Sequence, residues 1–264
     1  MTETLKVPGA TLHYDVSGTG PVLLCIPGGP ADAGAFDSVK DLLAAHYTVV
    51  TYDPRGLSRS TFDDEPQDTG IGEFAEDAHL LLAALGDEPA YVFGSSGGGL
   101  VGLELAARYP GQVRKVFAHE PPATYLLPEH DPAFTQEVYD TYRAEGVMAA
   151  MGKFVASAGL ENTAPPPGEP SPEAQAALGR NMDFFLGHMW LPIGRHTVDT
   201  AKLAGQPLVI GIGETAKGQL AYRAAVALAE QLGVEPVVFA GDHAGFGGHS
   251  GEFTEQLHAV LTNP

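Results

Sequence analysis

Short apolar runs recur along the first half of the chain, each closed by Gly, Pro or Asp. Longer stretches with apolar residues three or four apart lie between them. Residues 22–26 (Val-Leu-Leu-Cys-Ile) are continuously apolar between Pro21 and Pro27, which predicts a strand buried on both faces. Residues 47–52, 90–93 and 113–118 read the same way. Residues 5–16 predict a hairpin turning at Pro8-Gly9. A helix is predicted over 74–85, where Phe74, Ala78, Leu81 and Leu85 share a face, and another over the Leu- and Ala-rich 99–108. Strands alternating with helices imply an α/β fold, with a mostly parallel sheet covered by helices on both sides.

The rhythm changes after residue 118. From about 121 to 205 no stretch reads as a strand, while 132–145, 147–158 and 173–185 have helical patterns. The run Ala164-Pro165-Pro166-Pro167-Gly168-Glu169-Pro170 cannot be regular structure, because proline lacks a donor and fixes φ. Alternation then returns, with strands at 208–212 and 234–240 and helices at 219–232 and 251–261. Residues 1–120 and 204–264 are therefore expected to form one core domain, and 121–203 an inserted helical cap. A cap at the carboxyl ends of the strands would lie over the crevice where ligands bind in such folds.

Composition narrows the function classes. The chain is 44% hydrophobic and 18% charged, as expected of a soluble globular protein. Its 33 acidic residues against 14 Lys and Arg give a charge of -19, a field that repels nucleic acid. The single cysteine, Cys25, lies within an apolar run, so no intrachain disulfide and no zinc pattern arises. The first residues carry no basic-then-apolar leader, and no apolar run approaches the ~18 residues of a membrane helix. A cytoplasmic protein with neither membrane nor nucleic-acid partners is expected. Homo-oligomerisation is left open.

One turn carries candidate chemistry. The strand ending at Phe93 enters Gly94-Ser95-Ser96-Gly97-Gly98-Gly99 and then a helix. Gly94, Ser96 and Gly98 fit G-x-S-x-G, in which a sharp strand-to-helix turn pushes the serine Oγ clear of the sheet. Small residues two before and two after allow the close crossing. The absence of a following Lys excludes a P-loop. Gly97, Gly99 and Gly102 also fit G-x-G-x-x-G, with Glu120 near the spacing of a ribose-binding acid. That reading gives no role to Pro27–Pro30 or Gly241–His243.

With these residues in view, the chain resembles the α/β-hydrolase superfamily over nearly its whole length. Asp53-Pro54-Arg55-Gly56-Leu57-Ser58-Arg59-Ser60 is similar to the superfamily's D-x-R-G-x-G-x-S loop, with Ser58 in place of the second glycine. Asp53 and Arg55 are expected to be structural charge pairs there. The loop Pro27-Gly28-Gly29-Pro30 stands where the superfamily often has H-G-x-P. One oxyanion donor would be the N–H of Gly97, the residue after the nucleophile. The other would come from Gly29, with Gly28 as alternative; Pro30 has no N–H. The base is expected downstream of the last strand. His243, in Gly241-Asp242-His243, matches the usual G-x-H, and His249 is its competitor. His188 and His196 fall in the insertion, where a substrate would be in reach.

The acid has two candidate slots. After the strand at 208–212 the superfamily has G-x-x-D. Counting from Gly211 gives Glu214, whereas counting from Gly213 gives Ala216 and an empty slot. The earlier slot follows 113–118 and holds Glu120, in His119-Glu120-Pro121-Pro122. Asp242 adjoins His243 in sequence, which makes a useful bond to its ring difficult. The chain is similar to the zearalenone lactonases, which open a macrolactone with a Ser-His-Glu triad. Ser95-Ser96-Gly97, His119-Glu120-Pro121-Pro122 and Pro27-Gly28-Gly29 match their elbow, acid and oxyanion motifs, and His243 with His249 matches their histidine spacing. The resemblance implies Ser96 as nucleophile, His243 as base and Glu120 as acid, with Glu214 the rival.

The expected activity is hydrolysis of a carboxylic ester or lactone through an acyl-enzyme, with no metal and no organic cofactor. Phe134, Val138, Tyr142, Met148, Met151, Phe154, Phe184, Phe185 and Trp190 make the insertion rich in large apolar groups. A medium-sized, largely apolar small-molecule substrate would suit it. Carbon–carbon bond hydrolysis, cofactor-free peroxidation and a ligand-binding receptor with little turnover are the alternatives on the same fold.

Overall fold

The computed structural model describes residues 2–158 and 171–263. Its strands are β1 (Thr2–Val7), β2 (Ala10–Ser17), β3 (Val22–Ile26), β4 (Thr48–Tyr52), β5 (Thr61–Phe62), β6 (Ala90–Ser95), β7 (Val113–His119), β8 (Leu208–Gly213) and β9 (Val237–Phe239). They form one sheet in the order β1-β2-β4-β3-β6-β7-β8-β9, with the short β5 paired to β2. β1, β2 and β5 pair antiparallel, and β2 joins β4 antiparallel. From β4 to β9 every pairing is parallel.

The central strands are apolar on both faces because both are covered. Leu24, Ile26, Val50, Val92, Val116 and Ala118 join the core beneath helices Ile71–Leu85, Gly97–Arg108 and Leu220–Leu232. Their neighbours Leu23, Cys25, Val49, Phe93 and Phe117 face Phe253, Leu257 and Leu261 of helix Ser250–Thr262. Side chains alternate faces along a strand, so a strand packed on both sides shows no polar alternation.

Between β7 and β8 the described residues form helices and no strand. Pro132–Glu145 and Val147–Ala158 match their predicted bounds, and Pro172–Phe184 continues into a π-helical turn, Phe185–Met189. The expected break at 164–170 lies outside the described residues. The last strand is shorter than the predicted 234–240. Gly233 ends its helix in the left-handed conformation, and the Val234 N–H bonds back to the Ala229 carbonyl. Val234 thus completes a helix cap, and Pro236 has no N–H to offer a ladder.

The D-x-R-G-like loop is held by charge pairs, as expected of it. The buried Asp53 carboxylate accepts from the Ala33 N–H at 3.1 Å and from the Arg59 Nε at 2.7 Å, and Arg55 Nε donates to the buried Asp77 at 2.6 Å. Ser58 occupies the glycine slot with φ 49°. Its N–H donates to Asn181 Oδ1 at 2.8 Å and its Oγ bonds Asp32 and Asn181, interactions that offset the strain. Phe184 lies over Gly56, where a Cβ would meet its ring at 2.4 Å. Helix Pro172–Phe184 is thereby fastened to the loop.

Candidate active site

The candidate residues come from the carboxyl ends of different strands. Ser96 follows β6 with φ 54° and ψ -122°, and opens helix Gly97–Arg108. Among the described residues only Ser58, Ser96 and Glu120 have positive φ without being glycine. Such strain costs of order 1–3 kcal/mol each and persists only where the surroundings enforce it. At Ser96 the enforcement is steric. A Cβ on Gly94 would lie 2.2 Å from the Gly98 carbonyl oxygen, and one on Gly98 would lie 2.1 Å from the Ile26 oxygen. Strand and helix cross too closely for any side chain at either position. The Ser96 N–H donates to the His119 carbonyl at 2.8 Å, which ties the turn to β7.

The loop after β3 reaches the same turn. A Cβ on Gly28 would lie 2.8 Å from the Ser96 Cβ and 3.0 Å from the Gly97 nitrogen. Gly29, with φ 55°, has open space where a side chain would stand, and lines a cavity with Ser96, Gly97 and His243. As the first residue of its helix, Gly97 has no intrahelical carbonyl for its N–H.

Glu120 is fully buried at the end of β7, with φ 44°. One carboxylate oxygen accepts from the Gly213 N–H at 2.9 Å, and the other bonds His243 Nδ1 at 2.7 Å. A carboxylate only accepts, so the imidazole proton sits on Nδ1 and the Nε2 lone pair is left to act as a base. Glu214 is exposed, its N–H bonded to the Phe239 carbonyl, and Ala216 is buried. His249 is exposed, and Asp242 bonds the Ala244 N–H, not the His243 ring.

Two residues beside this pair have no role assigned from the sequence. Gly213 anchors the Glu120 carboxylate through its backbone; a Cβ there would lie 2.8 Å from the Asp242 carbonyl. In the sequence it read only as part of a competing motif. His119 is fully buried among Phe117, Phe239, Phe246 and Phe253, with its ring 6.3 Å from that of His243. Neither ring nitrogen has a hydrogen-bond partner among the described residues, and burial, with His243 beside it, pushes its pKa down to about 3.

The cavity has a volume of about 370 Å³. Of the nine large apolar residues named in the insertion from the sequence, Phe134, Phe154, Phe185 and Trp190 line it. Met148, also among the nine, is 78% exposed. Among the described residues no group of three or more His, Cys, Asp or Glu side chains is placed to hold a metal ion, and no helix is long and apolar enough to cross a membrane.

This sheet and this strand-to-helix elbow are those of the α/β-hydrolase fold, and the chain belongs to that family: residues 21–158 match its model. It is a hydrolase-family enzyme, and one relative is YraK of Bacillus subtilis (strain 168), an uncharacterized hydrolase. The two are 36% identical over 272 residues, 98% of this chain and 95% of the relative. A more distant relative is the zearalenone hydrolase of Bionectria ochroleuca, 27% identical over 70% of this chain and 79% of that one. The enol-lactonase of Burkholderia xenovorans LB400 shares the fold, with a TM-score of 0.74 at 20% identity, over 99% of this chain and 100% of that one.

Proposed function

We propose that the chain hydrolyses a carboxylic ester or lactone through an acyl-enzyme, with Ser96 as nucleophile, His243 as general base and Glu120 as the acid that orients it. The observation that carries this reading is the buried bond from Glu120 to His243 Nδ1, at 2.7 Å, beside a serine on a strained elbow. His243 Nε2 takes the Ser96 proton as Oγ attacks the carbonyl, and the N–H groups of Gly29 and Gly97 receive the developing oxyanion. The imidazolium then returns its proton to the leaving alkoxide. Water, activated by the same ring, releases the acid and restores Ser96. Glu120 stays ionised and stabilises the imidazolium. In a lactone the leaving alkoxide stays attached to the acyl group, so one product is released.

The segment 121–203 acts as a cap. Its aromatic residues give the cavity apolar walls, which suits a medium-sized, largely apolar small-molecule substrate. The zearalenone hydrolase relative supports a lactone as substrate. A fluorophosphonate probe tests the nucleophile. Wild-type protein should be labelled at Ser96, and labelling should vanish in Ser96→Ala and His243→Ala. A folded wild type that stays unlabelled overturns the proposal.

A further inference from the structure

The cavity is not apolar throughout. His196, from the segment after helix Trp190–Gly194, lines it together with Tyr125. The His196 Nε2 is buried without a hydrogen-bond partner among the described residues and lies 4.0 Å from Glu104 Oε2. That gap is too long for a hydrogen bond but close enough to bias the ring. The carboxylate favours the tautomer with its proton on Nε2, so Nδ1 becomes an acceptor. Burial keeps the ring neutral by pulling it below the usual histidine range, against the opposing pull of Glu104. The Tyr125 hydroxyl accepts the Val198 N–H at 3.0 Å, and its own proton can donate elsewhere. Val198 is two residues past His196, so the two polar groups belong to one small region. The indole of Trp190, by contrast, gives its N–H to the Thr135 carbonyl at 2.8 Å and offers the cavity only its apolar ring.

An acceptor beside a donor complements a hydroxyl group, which is both. The elbow helix gives the scale of its offset from the reacting centre. Glu104 is eight residues beyond Ser96 on the elbow helix, which is about 12 Å along the axis at 1.5 Å per residue. His196, set against Glu104 about two turns along the elbow helix from Ser96, is placed to read a part of the bound molecule away from the scissile carbonyl. We propose that His196 and Tyr125 form a hydroxyl-recognition subsite, and that the preferred substrate is an ester or lactone bearing a hydroxyl roughly 10 Å from its scissile carbonyl. The proposal rests on the hydrolase reading for the identity of the reacting group.

The test compares 4-nitrophenyl ω-hydroxyoctanoate with 4-nitrophenyl nonanoate, which replaces the terminal hydroxyl by a methyl of similar size. Wild type should favour the hydroxylated ester by about three- to tenfold in kcat/KM, the range of one neutral hydrogen bond. The ratio should fall to about one in His196→Leu. It should survive in part in His196→Asn, whose amide oxygen falls near the position of Nδ1. A ratio is insensitive to partial loss of folded protein, since both substrates lose equally. No preference in wild type, or an undiminished one in His196→Leu, overturns the subsite. A second readout separates this from the hydrolase reading. Trp190, the only tryptophan, lines the cavity, so its fluorescence reports binding of the same two esters to Ser96→Ala. Discrimination in binding without turnover by wild type would remove the hydrolase reading and keep the subsite. Turnover without discrimination in either measurement would do the reverse.

Discussion

Glu120 holds His243 with one carboxylate oxygen and the Gly213 N–H with the other, at 2.7 and 2.9 Å, and it does so with no exposure to water. Both oxygens are thereby fixed, and the imidazole can take only one orientation. Replacing Glu120 by Gln keeps the shape but allows an amide N–H to face the ring and favour the wrong tautomer. Glu120→Gln should lower kcat by on the order of 10³–10⁴. The exposed Glu214, changed to Gln, should leave kcat within about twofold. Steady-state kinetics on an aryl ester measures both, and a larger loss at Glu214 would hand it the role.

The crossing of β6 with its helix allows no side chain at Gly98. Gly98→Ala should destabilise the fold by about 3 kcal/mol or more, since the new methyl meets the fixed Ile26 carbonyl. Gly247, with nothing within 4 Å of its Cβ position, is the control, and Gly247→Ala should stay within about 0.5 kcal/mol. Urea unfolding followed by circular dichroism compares the two.

His119 should give stability an acid-sensitive limb. Its folded pKa lies near 3 against 6.5 for the free side chain, so between these values the unfolded chain binds a proton that the folded one refuses. Its contribution is complete above about pH 6.5 and is lost as pH falls towards 3, with a slope of up to about 1.4 kcal/mol per pH unit. His119→Phe should flatten the decline between about pH 6.5 and pH 4. An unchanged slope in urea melts across that range would show that other groups carry it.

Asn181 secures the helix Pro172–Phe184 to the loop through Ser58. Asn181→Ala leaves the Ser58 N–H without its acceptor and should cost about 1–3 kcal/mol. The helices between β7 and β8 should then become more sensitive to limited proteolysis than the sheet, and fragment masses would locate the cuts.

Much of this was legible in the chain because the relevant signals are local. Val22–Ile26 has no polar residue and proline on either side, and it became a doubly covered strand of those bounds. Gly94 and Gly98 announced the close crossing that their absent side chains permit. What was not legible depends on distant partners. Ser58 departs from the glycine pattern, and only Asn181, more than a hundred residues on, shows how the left-handed conformation is supported. Val234 reads as a strand residue by composition but is used by the preceding helix as a cap. Of the two candidate acids the sequence favoured Glu120 over Glu214. That preference rested on motif matching, which carries no distances; in space Glu120 is buried against His243 and Glu214 faces solvent.

The convergence of these strand ends also bears on the order in which the protein is made. Gly29, Ser96 and Glu120 belong to the first half of the chain, and His243 follows only after the helical segment and two further strands. A nascent chain that has already formed the elbow carries a serine with no base beside it. Glu120 at that stage lacks both His243 and the Gly213 N–H, since β8 and β9 are still to come. On the proposed assignment the enzyme is inert throughout its own synthesis and becomes active only when the far edge of the sheet closes, so activity serves as a direct readout of complete folding.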